Sequence, residues 1–414
     1  MKNSIFNDIN ELFPCTNKIA EQLFPAFWNE YLISLNSCRR TNQDPGKTNF
    51  FACRLDGTNP WKGWAKCFFY LVASVIQIVY FLLQKQQWPT DKSVFVFNNL
   101  SHRRFFRDDT FLIRIGLYNL RYFKYPHLLQ ILSTRECIGA VYLSLRTYGT
   151  FRANCRRMCE QHGDNWTAFR RLAFCGRLRH LEAILHAMAF EKYGGDIHFA
   201  GHFEMYVSIL SLLREHGAIG RLIGYQHGLF EYSPKGRAYR PLYTDRYFIL
   251  FPESENWVKH HMISNPDCKI IVPPAASSLA FQILYRNPHS HVIAFGAAEG
   301  MDLDQRIINR LLEMRARLST NLLIIIYFHP FFPNIMKSSW REQGVIGFNK
   351  MRHNNIDLFI TRYSTLGLDY HHIGVPVLFV PFDDGVCAFE SGQFIICSNL
   401  DEMELEVRKL IKVG

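Results

Sequence analysis

Three histidines in this sequence each follow a short apolar run: His202 in Gly201-His202-Phe203-Glu204, His227 in Tyr225-Gln226-His227-Gly228, and His329 in Tyr327-Phe328-His329-Pro330. An imidazole titrates near neutral pH, so at an exposed turn it can take a proton from a hydroxyl or donate to a phosphate. A fourth stretch, Arg362-Tyr363-Ser364-Thr365-Leu366-Gly367, sets a guanidinium and the Ser364 and Thr365 hydroxyls before a helix-period segment. Hydroxyls and amide N–H groups at a helix start make a phosphate-binding arrangement, and a glycine there lets a ligand approach closely. Plainer readings stand beside these: Ser364 as a helix N-cap alone, and His227 as a residue that only hydrogen-bonds its neighbouring loop. Glu204, in the same loop as His202, is a carboxylate alternative to His227 as a proton acceptor.

These stretches are informative because of what must hold them. The runs 93–98, 139–145, 196–201, 221–226, 246–251 and 269–274 are short and rich in β-formers, and each leads through a polar loop into a helix-period segment. That alternation predicts parallel βα units. After a connector over 277–290 the series restarts, with strands over 291–296, 321–328, 357–362 and 376–381 and a helix over 302–318. A closing helix over 399–411 has Asn399 as its cap, acidic residues early and basic residues late, in agreement with the helix dipole. The fold class expected is therefore α/β, with two Rossmann-like domains, 90–280 and 290–414, facing a cleft. Ligands of open parallel sheets bind outside the carboxyl ends of the strands, where the four stretches fall.

Residues 1–89 read as an N-terminal helical extension. Within it, residues 67–83 are seventeen uncharged positions flanked by Trp and Lys, at the lower edge of spanning length. Tyr70, Ser74, Gln77 and Gln84 draw a polar stripe along it, which leaves three readings open: contact with a membrane surface, burial against protein, or a span.

Composition narrows the partners. A chain of 414 residues with 48% hydrophobic and 20% charged residues is globular, and its length favours two or three domains. Eleven scattered cysteines without a CxxC pair support neither a disulfide framework nor a zinc site, so a reducing cytoplasm is expected. The sequence starts without the features of a secretory signal. The net charge of +11 is local: residues 102–180 hold fifteen Arg or Lys against five Asp or Glu. Such a segment is a solvated helical face or a surface for nucleic acid, anionic lipid headgroups or an acidic glycan. No nucleic-acid module is recognisable, so nucleic acid is not expected as a partner.

The stretch Tyr327-Phe-His-Pro-Phe-Phe-Pro, followed by residues 357–381 with Arg362-Tyr-Ser-Thr and an Ile-Gly-Val-Pro, resembles the carboxy-terminal domain of GT-B transferases that build bacterial surface polymers. These include capsule and lipopolysaccharide transferases that use CMP-activated sugars such as Kdo and sialic acid, and the CDP-glycerol polymerases of teichoic acid. The Gln226-His227-Gly228 triplet is similar to the Gln-His-Gly of the capsule Kdo-type transferases and to the Trp-His-Gly of the glycerol polymerases, where a following lysine also recurs, and Lys235 stands in that place. The resemblance spans roughly residues 196–411 and implies that His329, with Pro330 fixing its loop, and Ser364 and Thr365 hold the nucleotide phosphate. Arg362 stands where the polymerase motif usually has aspartate. Glu390 and Ser391, in the loop 382–392, are placed near the nucleotide's sugar or base.

The chemistry so expected is inverting sugar transfer without a metal and without a cofactor. His227 is the preferred base, Glu204 and His202 its rivals, and Gln226, Gly228 and Lys235 stand on the acceptor side. His329, Ser364, Thr365 and Arg362 clamp the departing phosphate. The partners are a nucleotide-activated donor and a glycan or lipid-linked acceptor, with peripheral contact to the anionic inner face of the cytoplasmic membrane. The alternatives are a CDP-glycerol or polyol-phosphate transferase, a nonhydrolysing nucleotide-sugar epimerase, and a non-enzymatic, basic membrane-binding adaptor.

Overall fold

The computed structural model describes residues 10–23, 72, 76, 79–81, 83–84, 88–89, 92–97, 110–115, 125–161, 166–201, 204–226, 231–232, 241–272, 282–284, 290–297, 301–318, 321–328, 338–348, 353–362, 364, 366–381, 386–387 and 394–411. They form two compact units, one of Met1–His227, Ala238–Ile249 and Val258–Ile271, the other of Gly228–Arg237, Leu250–Trp257 and Val272–Gly414.

Unit 1 begins with the short helix α1 (Pro14–Ile19), whose first amide groups, of Cys15 and Thr16, donate to the Glu191 carboxylate at 2.9 and 2.7 Å. The strands β1 (Val94–Phe97) and β2 (Phe111–Arg114) are followed by two long helices, α2 (Thr134–Gln161) and α3 (Trp166–Tyr193). Then come β3 (Ile197–Ala200), α4 (Met205–Glu215) and β4 (Leu222–Tyr225). The chain next forms β5 (Glu231–Tyr232), which belongs to unit 2, before β6 (Arg246–Phe248) and β7 (Lys269–Ile271) complete the first sheet. The sheet runs β2-β1-β3-β4-β6-β7 and all its pairings are parallel. β1, β3 and β4 are buried along their whole length, which is why they read as near-continuous apolar runs.

Gly224 shows how tightly this sheet is covered. A Cβ there would lie 2.4 Å from Cδ2 of Tyr247 and 2.7 Å from Cζ of Phe199, the residues it pairs with on either side. Both rings are fully buried and have no room to retreat. Gly224→Ala is therefore expected to destabilise the protein by about 1–3 kcal/mol through overpacking, read as a lower urea midpoint at unchanged m.

Unit 2 contains β8 (His291–Gly296), α5 (Met301–Leu318), β9 (Leu322–Tyr327), α6 (Ser338–Glu342) and β10 (Ile346–Phe348). They are followed by β11 (Leu358–Thr361), α7 (Leu366–His372), β12 (Val377–Phe379), β13 (Val386–Cys387), β14 (Ile395–Ile396) and α8 (Leu400–Leu410). Its sheet runs β10-β9-β8-β11-β12-β14, again wholly parallel. Counted within the sheet this is the order 3-2-1-4-5-6 of the doubly wound nucleotide-binding fold. Alternate residues of β8 divide between two cores. Ile293 and Phe295 pack with Ile307, Leu311, Met403 and Val407 from α5 and α8, and Val292 and Ala294 with Leu368 and Tyr370 from α7. Helices thus cover both faces, as the period-2 pattern of a central strand requires.

The expected strand over 139–145 is not one: those residues lie inside α2. Cys137, Ala140, Leu143 and Ser144 are buried while Ile138, Val141, Tyr142 and Leu145 are exposed, so the helix is apolar on both sides. A short apolar run of that kind has no periodicity that separates strand from helix. The strands β2, β10 and β14 were not anticipated. Of the segment 67–83, only residues 72, 76, 79–81 and 83 are described, and they are helical. No helix among the described residues is long and apolar enough to cross a membrane.

Candidate functional site

In each sheet the strand order reverses once, and the loops at the carboxyl ends of the two strands flanking that point define a crevice. In unit 2 the flanking strands are β8 and β11. Their ends are tied together by one side chain. The Thr361 hydroxyl donates to the Gly296 carbonyl at 3.2 Å and accepts the Ser364 N–H at 3.1 Å. Gly296 is required there, because a Cβ would lie 2.8 Å from the Phe359 ring. Ser364 then caps α7, its Oγ accepting the Leu366 N–H at 3.2 Å.

Arg362 points inward. It is 1% exposed, and its guanidinium faces the Asp304 carboxylate of α5 at 3.7 Å. The first turn of α5, which follows β8, is thereby linked to the loop that follows β11. Asp304 also closes an Asp302-Leu303-Asp304 triplet, and its engagement by Arg362 sets that carboxylate toward a cation of the protein's own. Gly367, expected to leave room for a ligand, instead faces the sheet: a Cβ would meet Thr361 Cγ2 at 3.0 Å and Phe379 Cζ at 3.1 Å. It serves the close packing of α7 on β11 and β12.

In unit 1 the order reverses between β1 and β3. Glu204 lies beyond the carboxyl end of β3 as the N-cap residue of α4, without a capping bond from its own side chain. Its carboxylate folds back over Gly201, where a Cβ would come within 2.5 Å of Oε2. The buried Tyr206 hydroxyl donates to the Ala200 carbonyl at 2.9 Å. Burial, and secondly the Glu204 charge, hold the Tyr206 and Tyr247 phenols well above their ordinary pKa, so both stay protonated. Gln226, after β4, is fully buried and its N–H donates to the Phe248 carbonyl at 2.8 Å.

Of the residues singled out from the sequence, Glu204, Gln226, Arg362 and Ser364 are described; His202, His227, Gly228, Lys235, His329, Pro330, Thr365, Glu390 and Ser391 lie outside the described residues. Ser364 and Arg362 come together at the switch point of unit 2, and Glu204 stands at that of unit 1. Two features were not read from the sequence. One is the β8–α5 connection, Gly296-Ala-Ala-Glu-Gly300, which occupies the first turn of the doubly wound order and carries its signal in two glycines between a strand and a helix. The other is the antiparallel pairing of β5 with β13, Tyr232 with Val386 and Glu231 with Cys387. It joins the stretch after His227 to the 382–392 loop, and residues 228–237 accordingly group with unit 2. Two-residue strands leave almost no trace in sequence periodicity. Among the described residues no group of His, Cys, Asp and Glu is arranged to hold a metal ion.

The structure therefore defines a protein of two α/β units, each with a six-stranded parallel sheet and a switch-point crevice. Neither a protein-family model nor a curated protein matches the sequence significantly. Among solved structures, the chain is similar to the glycotransferase of kitacinnamycin, at 11% identity over 77% of this chain and 89% of that one, with a TM-score of 0.40. It is similar also to a variant of the wall teichoic acid polymerase TagF soaked with CDPG, at 12% identity over 86% and 90%, with a TM-score of 0.38. Against the GtfA/B complex the identity is 13% and the TM-score 0.37; there the match takes in 56% of this chain and about half, 54%, of the other. These likenesses are too loose to add to what the sheet topology already defines.

Proposed function

We propose that this protein is an inverting, metal-independent glycosyltransferase of the GT-B plan, moving a sugar from a nucleotide donor, a CMP-sugar in preference, to a surface polysaccharide or lipid-linked glycan. The observation that carries the reading is the switch point of unit 2, where the doubly wound order brings Thr361, Arg362 and Ser364 to the loop facing α5. A helix start at that loop, braced by the Arg362–Asp304 pair, favours an anionic leaving group.

In this reading Ser364, Thr365 and His329 hold the donor phosphate, Arg362 braces their loop from its buried contact with Asp304, and Glu390 and Ser391 contact the sugar or base of the nucleotide. His227 takes the acceptor's hydroxyl proton, with Glu204 and His202 as the rival bases, while Gln226, Gly228 and Lys235 shape the acceptor side. The deprotonated oxygen forms its bond to the anomeric carbon as the bond to the nucleotide phosphate breaks on the opposite face. The leaving phosphate keeps the electron pair, and the clamp stabilises that charge where it develops.

Thermal unfolding in the presence of CMP, CDP-glycerol and UDP tests the donor class, since a ligand of the native state raises Tm by mass action. A shift with cytidine nucleotides is expected; no shift with any of them removes the transferase reading. Ser364 separates phosphate binding from helix capping. Aspartate caps a helix as well as serine does but repels a phosphate, so Ser364→Asp should keep Tm near wild type and weaken nucleotide affinity by at least about tenfold. If Ser364→Asp binds nucleotide as tightly as the native protein, the serine is a cap and nothing more. Product analysis without acceptor distinguishes an epimerase, which would turn over its nucleotide-sugar alone.

A further inference from the structure

Most of the exposed large apolar side chains lie on two helical stretches of unit 1. Nine of the fourteen found among the described residues belong to two helical stretches. On α2 they are Ile138, Val141, Tyr142 and Leu145, exposed by 57, 45, 38 and 71%. Their spacing of three, one and three residues puts them on a single stripe, opposite Cys137, Ala140, Leu143, Ser144 and Thr147, which are buried. The second stretch carries Val72, Ile76, Val79, Tyr80 and Leu83, again on one stripe at helical spacing.

The opposite side of this second stretch is already taken. Phe81, half a turn from the stripe, is 2% exposed, and its ring stacks on His127 at 4.3 Å and 6° beneath the Arg114 guanidinium at 4.6 Å. Both helices thus dock on the unit through one face and leave a second apolar face uncovered. A helix that buries one side in water ordinarily shows a polar one on the other.

We infer that these two stripes form a docking face for an anionic lipid surface, on which the helices lie without crossing it. Charge argues for that occupant. Beyond Leu145 the same stripe of α2 continues into exposed Arg152 and into Arg156, which pairs with Glu160 at 2.7 Å, and Arg157 beside them is exposed. Apolar side chains enter the acyl boundary while basic ones meet anionic headgroups, and Tyr80 and Tyr142 have the amphipathic rings that settle at that boundary. No described helix is apolar and long enough to span. The face is remote in sequence from the candidate site and its role does not depend on the transferase reading.

The experiment is co-sedimentation of the full chain with large unilamellar vesicles, of phosphatidylcholine alone and of phosphatidylserine and phosphatidylcholine at about 3:7. Partitioning is expected to be at least about tenfold stronger on the anionic vesicles. The double variant Ile138→Glu/Leu145→Glu, on an exposed face and so expected to keep the thermal unfolding of the native protein, should lose at least about tenfold in partitioning. Arg152→Gln/Arg156→Gln should lose the preference for anionic lipid while keeping residual binding to neutral vesicles. Failure of the native protein to bind either vesicle, or equal binding by the glutamate variant, overturns the inference. So does a dimer in solution that the glutamate variant dissociates, since the occupant would then be a second copy.

Discussion

Replacing His227 by alanine is expected to reduce turnover by about 10²- to 10⁴-fold at saturating donor while changing nucleotide affinity little, the loss typical of a removed general base. His227 closes the first segment of unit 1 directly after β4, whereas the phosphate clamp is proposed in unit 2, so the two should separate in a kcat-against-Kd comparison. Glu204→Gln is the paired measurement. The Glu204 carboxylate folds over Gly201 beside the protonated Tyr206 and Tyr247, and its loss should lower turnover less than that of His227 if it serves only to shape the loop. Near-native turnover in His227→Ala with collapse in Glu204→Gln would transfer the base to the carboxylate. Equal, complete losses call for a pH–rate profile of each variant, because residues that act as a unit are not additive.

Acid should destabilise this protein well before its carboxylates are neutralised. His180, on α3, faces α2 and the chain after α1: its Nδ1 is 3.1 Å from the Ser144 hydroxyl, its Nε2 is 3.4 Å from the Ala20 carbonyl, and its ring stacks on Phe151 at 4.6 Å. Burial lowers its pKa from the ordinary value to about 4, against a small raising effect of the Ala20 carbonyl. The folded state therefore binds the proton less readily than the unfolded chain does. The stabilisation is complete above the unfolded value of about 6.5 and is lost as pH falls toward about 4, on the order of 3 kcal/mol in all. Fully buried His127 acts in the same direction, its pKa held well below the usual value by burial first and then by the Arg114 and His186 charges. Urea unfolding at intervals between pH 7 and 4 should show this fall, and His180→Gln should flatten it. An unchanged slope in that variant would place the proton uptake elsewhere.

Much of the α/β plan is written locally. β1, β3, β4, β8, β9, β11 and β12 are legible because they are buried on both faces, so each is a continuous run of apolar β-formers bounded by polar turns. The closing helix is legible for a similarly local reason: the Asn399 side chain accepts the Glu402 N–H at 2.8 Å and the acidic and basic ends follow the dipole. In the site, Ser364 was legible as a residue at a helix start, and its capping bond is there.

What the chain's own pattern left undetermined is whatever depends on partners distant in sequence. The strand expected over 139–145 became helix because α3 and the chain after α1 cover its buried side, a preference that a run apolar on both faces cannot express. The strand order 3-2-1-4-5-6, which makes the β8 and β11 loops neighbours, arises from pairings across dozens of residues, and so does the meeting of Arg362 with Asp304. Residues 231–232 and 386–387 carry too few side chains for any period, yet they pair because the backbone hydrogen bonds of each need a partner. Sequence determined the fully buried central strands and the capped helix starts, since those follow from burial and capping within a few residues. The tertiary structure alone decided which of those turns stand side by side and which apolar faces stay uncovered, because both are set by contacts that local chemistry does not encode.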